Sequence, residues 1–411
     1  MDFADTTDQA AFRSRVRRLI EEELPPRYRE LARSGRPETA FLWEEDRASS
    51  DAAKREASAG WAESVRSRGW FAPAWPAEYG GGGLGLLAQF ILKQEMAAAD
   101  APPPGSNVGI DMLGPVLMIH GTEELRRTHL PRILDASVVW AQGYSEPGAG
   151  SDLASLRTRA VRDGDDYVIN GQKIWTTHAH QADWIFVLTR TDPDQPKHRG
   201  ISFLLMDIRT PGITVRPLVN MGWQHEFNET FFEDVRVPAE QRVGEENRGW
   251  YVAMTLLDHE RSNVTGAVAA QRQIRRLVEF TGGEGGTRSR LGRGGEGGAL
   301  RQQLAQLAIE SEVLLTFSLR IISMQARGQV PNYEASVSKI FGEALDKAVA
   351  RTGTKLFGLY AHLWDPDEPR APMMARHTQN YCFSVARSIG GGTSEIQRNV
   401  IATRGLGLPR G

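Results

Sequence analysis

The feature that most constrains this chain is a change of period that later reverses. From Asp8 to about Leu134 apolar residues recur at helical spacing. Phe12, Val16, Leu19 and Ile20 come first, then Phe90, Ile91 and Met96 after a glycine-rich break, AEYGGGGLG. Around Val138 the texture shifts. YVINGQKIWTT, WIFVLTR, GISFLLMDI, GITVRPL and TFFEDVRVP are short, rich in β-branched and aromatic residues, and punctuated by NG, DPD and PG turn signals. After Gly249 the helical period returns and holds to about Arg404. It is interrupted by TGGEGGTRSRLGRGGEGG (Thr281 to Gly298), whose glycines and mixed charge predict a mobile loop. The order helical, β, helical predicts an α+β chain: a helical domain over 1–135, a β-domain over 136–246 and a helical domain over 247–411.

Bulk properties narrow the classes. With 411 residues, 40% hydrophobic and 24% charged, the chain has room for a core of two or three domains. A net charge of −2 offers no field for nucleic acid or an acidic membrane. The single cysteine, Cys382, excludes an internal disulfide and a cysteine-rich metal site, and reads as a small buried hydrophobe; no metal is expected. The N-terminal MDFADTTDQAAF lacks the basic and apolar regions of a signal peptide. No window approaches the roughly 20 apolar residues of a membrane span, so a cytoplasmic location is expected.

Three stretches could carry chemistry. EPGAGSD, within AQGYSEPGAGSDLASLRT, gathers small residues and hydroxyls in one loop, which suits close approach to a ligand as well as a plain tight turn. NGQKIWTTHAH sets Trp175 and Thr177 at a strand end, where a tryptophan serves either the core or a cofactor face. LLDHERSN places Glu260 beside Arg261, either a general base or a solvated acid on a helix. AEYGGGGLG reads as a turn, since no lysine or Ser/Thr follows to complete a phosphate loop.

Taken together, EPGAGSD, NGQKIWTT, FEDVRVP, LDHER and GGGTSEIQRNVIATR resemble the acyl-CoA dehydrogenases in order and rough spacing, over nearly the whole chain. The resemblance implies an N-terminal helical domain, a central β-sandwich or barrel-like domain and a C-terminal four-helix bundle. It implies FAD between the β-domain and the bundle, an acyl-CoA substrate, an electron-transfer flavoprotein as acceptor, and a homotetramer. Gln142, Tyr144 and Ser145 would line the flavin edge, Trp175 would pack on the ring, and Thr177 would bond near N5 and O4. Thr393 and Glu395 match C-terminal positions that reach the cofactor. Ser151 would meet both cofactor and pantetheine, with Thr191, Asp258, Arg261 and Gly392 on the substrate side.

The resemblance also bears on Glu260. Many members carry the base as glutamate in a C-terminal Tyr-Glu-Gly-Thr motif, where this chain reads SIGGGTSEIQ with Gly391. Isovaleryl-CoA and long-chain acyl-CoA dehydrogenases share that vacancy and place the glutamate before the arginine of the helix after the β-domain, where LDHER has Glu260. Glu260 is thus the expected base, and the backbone N–H of Gly391 an expected donor to the thioester oxygen. His259 reads as a structural or surface residue.

Two segments depart from the family pattern. Its Arg-x-x-Phe-Gly is represented only by RSRLG from Arg288, and its glycine pair by KLFGLYAH with the single Gly358. In the family both reach FAD from a neighbouring subunit. Their alteration keeps open a hetero-oligomer in which this chain is partly structural, and the fold also admits a flavin oxidase or monooxygenase.

Overall fold

The computed structural model describes residues 4–34, 41–105, 107–257, 263–282 and 295–409. The stretch 283–294 of the glycine-rich insert, expected to be mobile, lies outside them. By contacts the chain divides into two compact units, each discontinuous in sequence. One is 1–40, 85–102 and 261–411; the other is 41–84 and 103–260.

In chain order the described helices begin with α1 (Thr7–Glu23), α2 (Pro26–Ser34), α3 (Leu42–Ala48) and α4 (Ala52–Arg66). Next come α5 (Leu86–Ala99), α6 (Gly114–His120) and α7 (Glu123–Leu134). The strands follow: β1 (Trp140–Gly143), β2 (Arg159–Asp163), β3 (Asp166–Lys173) and β4 (Trp184–Arg190). They continue with β5 (Ile201–Asp207), β6 (Ile213–Val219), β7 (His225–Pro238) and β8 (Arg242–Val243). The chain then returns to helix: α8 (Gly249–Leu257), α9 (Val264–Gly282) and α10 (Gly295–Ala326). The last three are α11 (Tyr333–Phe357), α12 (Arg376–Arg387) and α13 (Ser394–Val400).

The first unit is helical. A capping box starts α1, with Thr6 and Gln9 exchanging side-chain and backbone bonds. Phe12, Val16 and Leu19 form its buried face, as their spacing predicts. Arg13 and Arg17 on α1 clamp the nearly buried Glu95 of α5 at 2.5 and 2.7 Å. The main core joins Ile274 and Leu277 of α9, Leu300, Leu304, Leu307 and Leu314 of α10, and Leu345 and Val349 of α11. That i, i+4, i+7, i+14 leucine row on α10 is what holds the long helices side by side.

The second unit is built on one sheet of the order β6-β7-β3-β2-β4-β5-β8, with β1 added to β4. β1 runs parallel to β4, and most other pairs are antiparallel. The sheet curls: Phe232 and Val235 of β7 share a core with Leu204 and Met206 of β5, four strands away. Ile185 to Thr189 and Ile201 to Met206 are all buried, so β4 and β5 are covered on both faces and read as continuous apolar runs. β6 lies at the sheet's end, alternates in exposure and tolerates Pro217, as an edge strand does.

Two details differ from the sequence reading. The Asn170–Gly171 pair makes no hairpin turn; β3 passes through it with a shift in register against β7. Gly171 has φ +153, and a Cβ there would stand 2.6 Å from the Thr158 Cα, so glycine serves close packing at a bulge. β7 also begins at His225, five residues before the expected Thr230, because the polar residues His225, Glu226, Asn228 and Glu229 hide the strand signal. Among the described residues, no helix is long and apolar enough to cross a membrane.

Candidate active site

The EPGAGSD loop leaves β1 through Gly143, where a Cβ would meet Ile185 and Val187 side chains at 3.1 Å. Glu146 and Ala149 exchange backbone bonds at 3.0 Å, closing a tight turn over Pro147 and Gly148. This turn carries the Glu146 side chain inward. Its carboxylate accepts from the backbone N–H groups of Arg157 and Thr158, at 2.7 and 2.8 Å, and from Lys173 Nζ at 2.8 Å. Lys173 is fully buried and also donates to the Tyr144 carbonyl at 3.0 Å. Burial opposes the charged carboxylate, but Lys173 and the N–H donors outweigh it and hold Glu146 below the usual range. Burial brings Lys173 down to about 8, with Glu146 opposing, so the pair is ionic at neutral pH.

That ion pair joins the loop to the end of β3. The Ile174 N–H donates to the Ser145 carbonyl at 2.9 Å, so Ser145 sits one residue from Trp175. Tyr144 is buried, its ring edge-on to Phe186 and Phe203, and burial pushes its phenol well above the ordinary range. Gln142 and Ser145 are half-buried, while Ser151 is exposed at the far side of the turn.

Trp175 is the notable residue here. It has φ 59, left-handed for a non-glycine, and its indole is 54% exposed with its neighbours Lys173 and Thr176 fully buried. One edge of the indole meets Phe227, with ring centroids 5.7 Å apart. An exposed aromatic on a rigid base is a platform for a planar ring. Half-buried Thr177 lies two residues on, and half-buried Gln142 and Ser145 on the joined β1 strand and loop offer an amide and a hydroxyl. This set fits an amide-rich heteroaromatic such as the flavin ring.

Thr191 is engaged within the protein. Its hydroxyl donates to Asn247 Oδ1 at 2.6 Å and lies 2.8 Å from Ser202 Oγ.

The C-terminal residues belong to the helical unit. Gly391 and Gly392 have φ +65 and +89, and Gln397 Nε2 donates to their carbonyls at 3.3 and 3.4 Å. Thr393 caps α13, accepting from the Ile396 N–H at 3.2 Å. Glu395 is exposed, and its own backbone N–H, with the Thr393 hydroxyl, holds its carboxyl below the usual range. A Cβ on Gly391 would stand 3.5 Å from Lys339 Cε, and Lys339 is paired with Glu343.

The structure therefore brings Gln142, Tyr144, Ser145, Trp175 and Thr177 onto one stitched segment. Gly391, Gly392, Thr393 and Glu395 share a second one in the other unit. Asp258, His259, Glu260 and Arg261 lie outside the described residues. Sequence reasoning missed Glu146 and Lys173 as partners, although a lysine inside an apolar strand run was a visible signal. It also missed Asn228, fully buried behind Trp175, which carried no signal of its own.

Comparison with known proteins fits this geometry. Models of the acyl-CoA dehydrogenase N-terminal, middle and C-terminal domains match residues 6–137, 141–235 and 247–406. The chain belongs to the acyl-CoA dehydrogenase family. It is 35% identical over 408 residues to "Acyl-CoA dehydrogenase IpdE1" of Mycobacterium tuberculosis, covering 98% of each chain. It is 28% identical over 406 residues to the mitochondrial long-chain specific acyl-CoA dehydrogenase of Sus scrofa, covering 97% of this chain and 86% of that one. Among solved structures, the Tcur3481-Tcur3483 steroid ACAD is similar with a TM-score of 0.84 and 32% identity, over 100% of both chains. The ChsE4-ChsE5 complex from Mycobacterium tuberculosis gives a TM-score of 0.80 and 34% identity, over 100% of both. Acyl-CoA dehydrogenases are FAD-dependent flavoproteins, and this chain is one of these oxidoreductases of lipid metabolism.

Proposed function

We propose that this acyl-CoA dehydrogenase oxidises the α,β bond of a bulky acyl-CoA thioester to the 2,3-enoyl-CoA and passes the electrons to an electron-transfer flavoprotein. The observation that carries the reading is the exposed Trp175 platform, held left-handed between buried Lys173 and Thr176. When bound, FAD supplies the acceptor for the two electrons and the β-hydrogen. Glu260 takes the α-proton, so the acyl group would lose one proton to the carboxylate and one hydride to the acceptor that FAD would supply. A carboxylate enclosed beside an acyl chain has its charged form disfavoured, which moves its pKa toward the working pH.

In this reading Gln142, Tyr144, Ser145, Trp175, Thr177, Thr393 and Glu395 receive FAD. Ser151, Thr191, Asp258, Arg261 and Gly392 receive the thioester, whose oxygen the Gly391 N–H polarises. The three domains are 1–135, 136–246 and 247–411. The whole-length likeness to a protein described as a steroid ACAD supports a polycyclic or side-chain acyl group. The test is anaerobic: acyl-CoAs of graded length, branching and ring content are added to the yellow protein, and flavin bleaching is followed. A bulky thioester should bleach it fastest. Preference for a short straight chain, or no bleaching by any thioester, would contradict the proposal.

A second chain in the assembly has specific support. On α12, Tyr381 and Val385 are 50% and 45% exposed one turn apart, with Ile389 at 62% just beyond. Leu359 and Tyr360, in the segment that departs from the family's glycine pair, are 82% and 57% exposed. Such apolar surface calls for cover. A homotetramer or a hetero-oligomer would provide it, and native mass with flavin counted per chain separates the two. A hetero-oligomer with little flavin on this chain would make it a partly structural subunit, and near-stoichiometric flavin would dispose of that reading.

A further inference from the structure

Behind Trp175, Thr176 is held from β7 at three points. Its N–H donates to the Asn228 carbonyl at 3.0 Å, and its carbonyl accepts from Asn228 Nδ2 at 2.9 Å. Its hydroxyl accepts from Thr230 Oγ1 at 3.3 Å. A carbonyl can only accept, so the amide nitrogen of Asn228 must face it, and this fixes the orientation of the whole amide. Asn228 Oδ1 then faces His225 Nε2 at 2.9 Å, which must carry a proton. The second Nδ2 hydrogen points at His180 Nδ1, 3.2 Å away, which must be bare. Partial burial, with His225 and His178 alongside, brings His180 down to about 4, so that nitrogen is free to accept at neutral pH. The His180 and His225 rings stack with centroids 3.9 Å apart.

The turn needs such a clamp. Trp175 and His178 both adopt left-handed backbone, at φ 59 and 51, which L residues avoid without support. His178 is the next anchor, its N–H donating to the Glu226 carbonyl at 2.8 Å and its ring stacked on Phe41. Between the two strained residues, the Asn228 side chain is the group that satisfies the Thr176 carbonyl.

We propose that Asn228, oriented by His180 and His225, is a positioning residue that fixes the Trp175–Thr177 turn in the geometry that receives the flavin. This rests on the reading above that Trp175 and Thr177 meet FAD. Asn228 is fully buried and bonded to Thr176, so it acts through Trp175 and Thr177.

The test titrates FAD into the apoprotein of each variant, following the quenching of flavin fluorescence, and records the visible circular dichroism of the bound flavin. Asn228→Ala strands the Thr176 carbonyl; the FAD Kd should rise about tenfold and the dichroism should change. His225→Phe keeps a ring against His180 and removes only the donor to Asn228. His225 is exposed, so this variant should hold the parent Tm. It should raise Kd about threefold and change the dichroism in the same direction. Trp175→Ala tests the underlying reading: parent affinity and dichroism there mean that the turn does not meet the flavin. If Trp175→Ala alters both signals while Asn228→Ala and His225→Phe keep the parent's, the positioning role is overturned. A weaker Kd with unaltered dichroism and a lowered Tm is general loss of stability, and overturns it too. Should Asn228→Ala fail to fold, the His225→Phe result decides alone.

Discussion

The two segments expected to meet the cofactor are each supported by a lysine–glutamate pair, and the pairs are built differently. In the β-domain, Lys173 and Glu146 are 0% and 8% exposed, and they join a loop to a strand. In the helical unit, Lys339 and Glu343 lie one turn apart on α11 at 26% and 9% exposure, below the Gly391 turn. The first pair ties the backbone that leads into Trp175 to the EPGAGSD loop. The second lies under a glycine turn shaped by left-handed glycines and the Thr393 cap, and Glu343 also accepts from the Ser394 hydroxyl at 3.1 Å. One segment is therefore held by an ion pair buried on both sides, and the other by left-handed glycines and a cap with partly buried support from α11. Their responses to substitution should differ accordingly.

The largest effect should follow from Lys173→Met. It leaves Glu146 buried without its counter-ion, a change that typically costs about 3–5 kcal/mol. Urea unfolding followed by far-UV circular dichroism would show it, and FAD binding should fail with the fold of the loop. A loss near zero would mean that the N–H groups of Arg157 and Thr158 suffice for the carboxylate. Next comes Gly391→Ala, which forces a Cβ into φ +65. The expected cost is about 1–2 kcal/mol in the same measurement, with the Trp175 segment and its flavin spectrum little changed. Gly391→Glu meets the same strain and also brings a carboxylate beside Lys339, so it should rescue a base-deficient enzyme poorly. Thr393→Ala should be smallest, about 1 kcal/mol for a lost N-cap. If it matched Lys173→Met, the local character of the C-terminal segment would be wrong.

Acid offers a further contrast. Glu146 has a folded pKa below its unfolded value, so its contribution is present above the ordinary carboxylate range and is lost as pH falls through the lowered folded value. Its share of the β-domain's stability should thus survive mild acid, begin to fall at about pH 4, the unfolded carboxylate range, and be gone only below the lowered folded value. Glu146→Gln should flatten that part of a stability–pH profile; an unchanged slope would count against an ionic pair.

The same division explains what the sequence revealed. The helical–β–helical order was legible because period is a local property, repeated over many residues. The GGGTSEIQ stretch was legible as a motif because its residues sit within a few positions of one another, while the left-handed glycines and the Thr393 cap came from the structure. Glu146 and Lys173 appear in two separate motifs, and their pairing depends on the fold between them. Asn228 was hidden further: its strand begins in polar residues, and its task depends on the register of β7 against the Trp175 turn. The Asn170–Gly171 pair misled, since the glycine answers to the Thr158 backbone and not to a hairpin.

The central claim is that catalysis uses Glu260 because Gly391 leaves the C-terminal position without an acid. The direct measurement is anaerobic stopped-flow reduction of the bound flavin by the best acyl-CoA, in the parent and in Glu260→Gln. The substitution keeps shape and removes the base, so FAD content and thioester binding should persist while reduction slows by roughly 100-fold or more. If Glu260→Gln bleaches its flavin as fast as the parent, Glu260 is a solvated acid beside Arg261 and the base lies elsewhere.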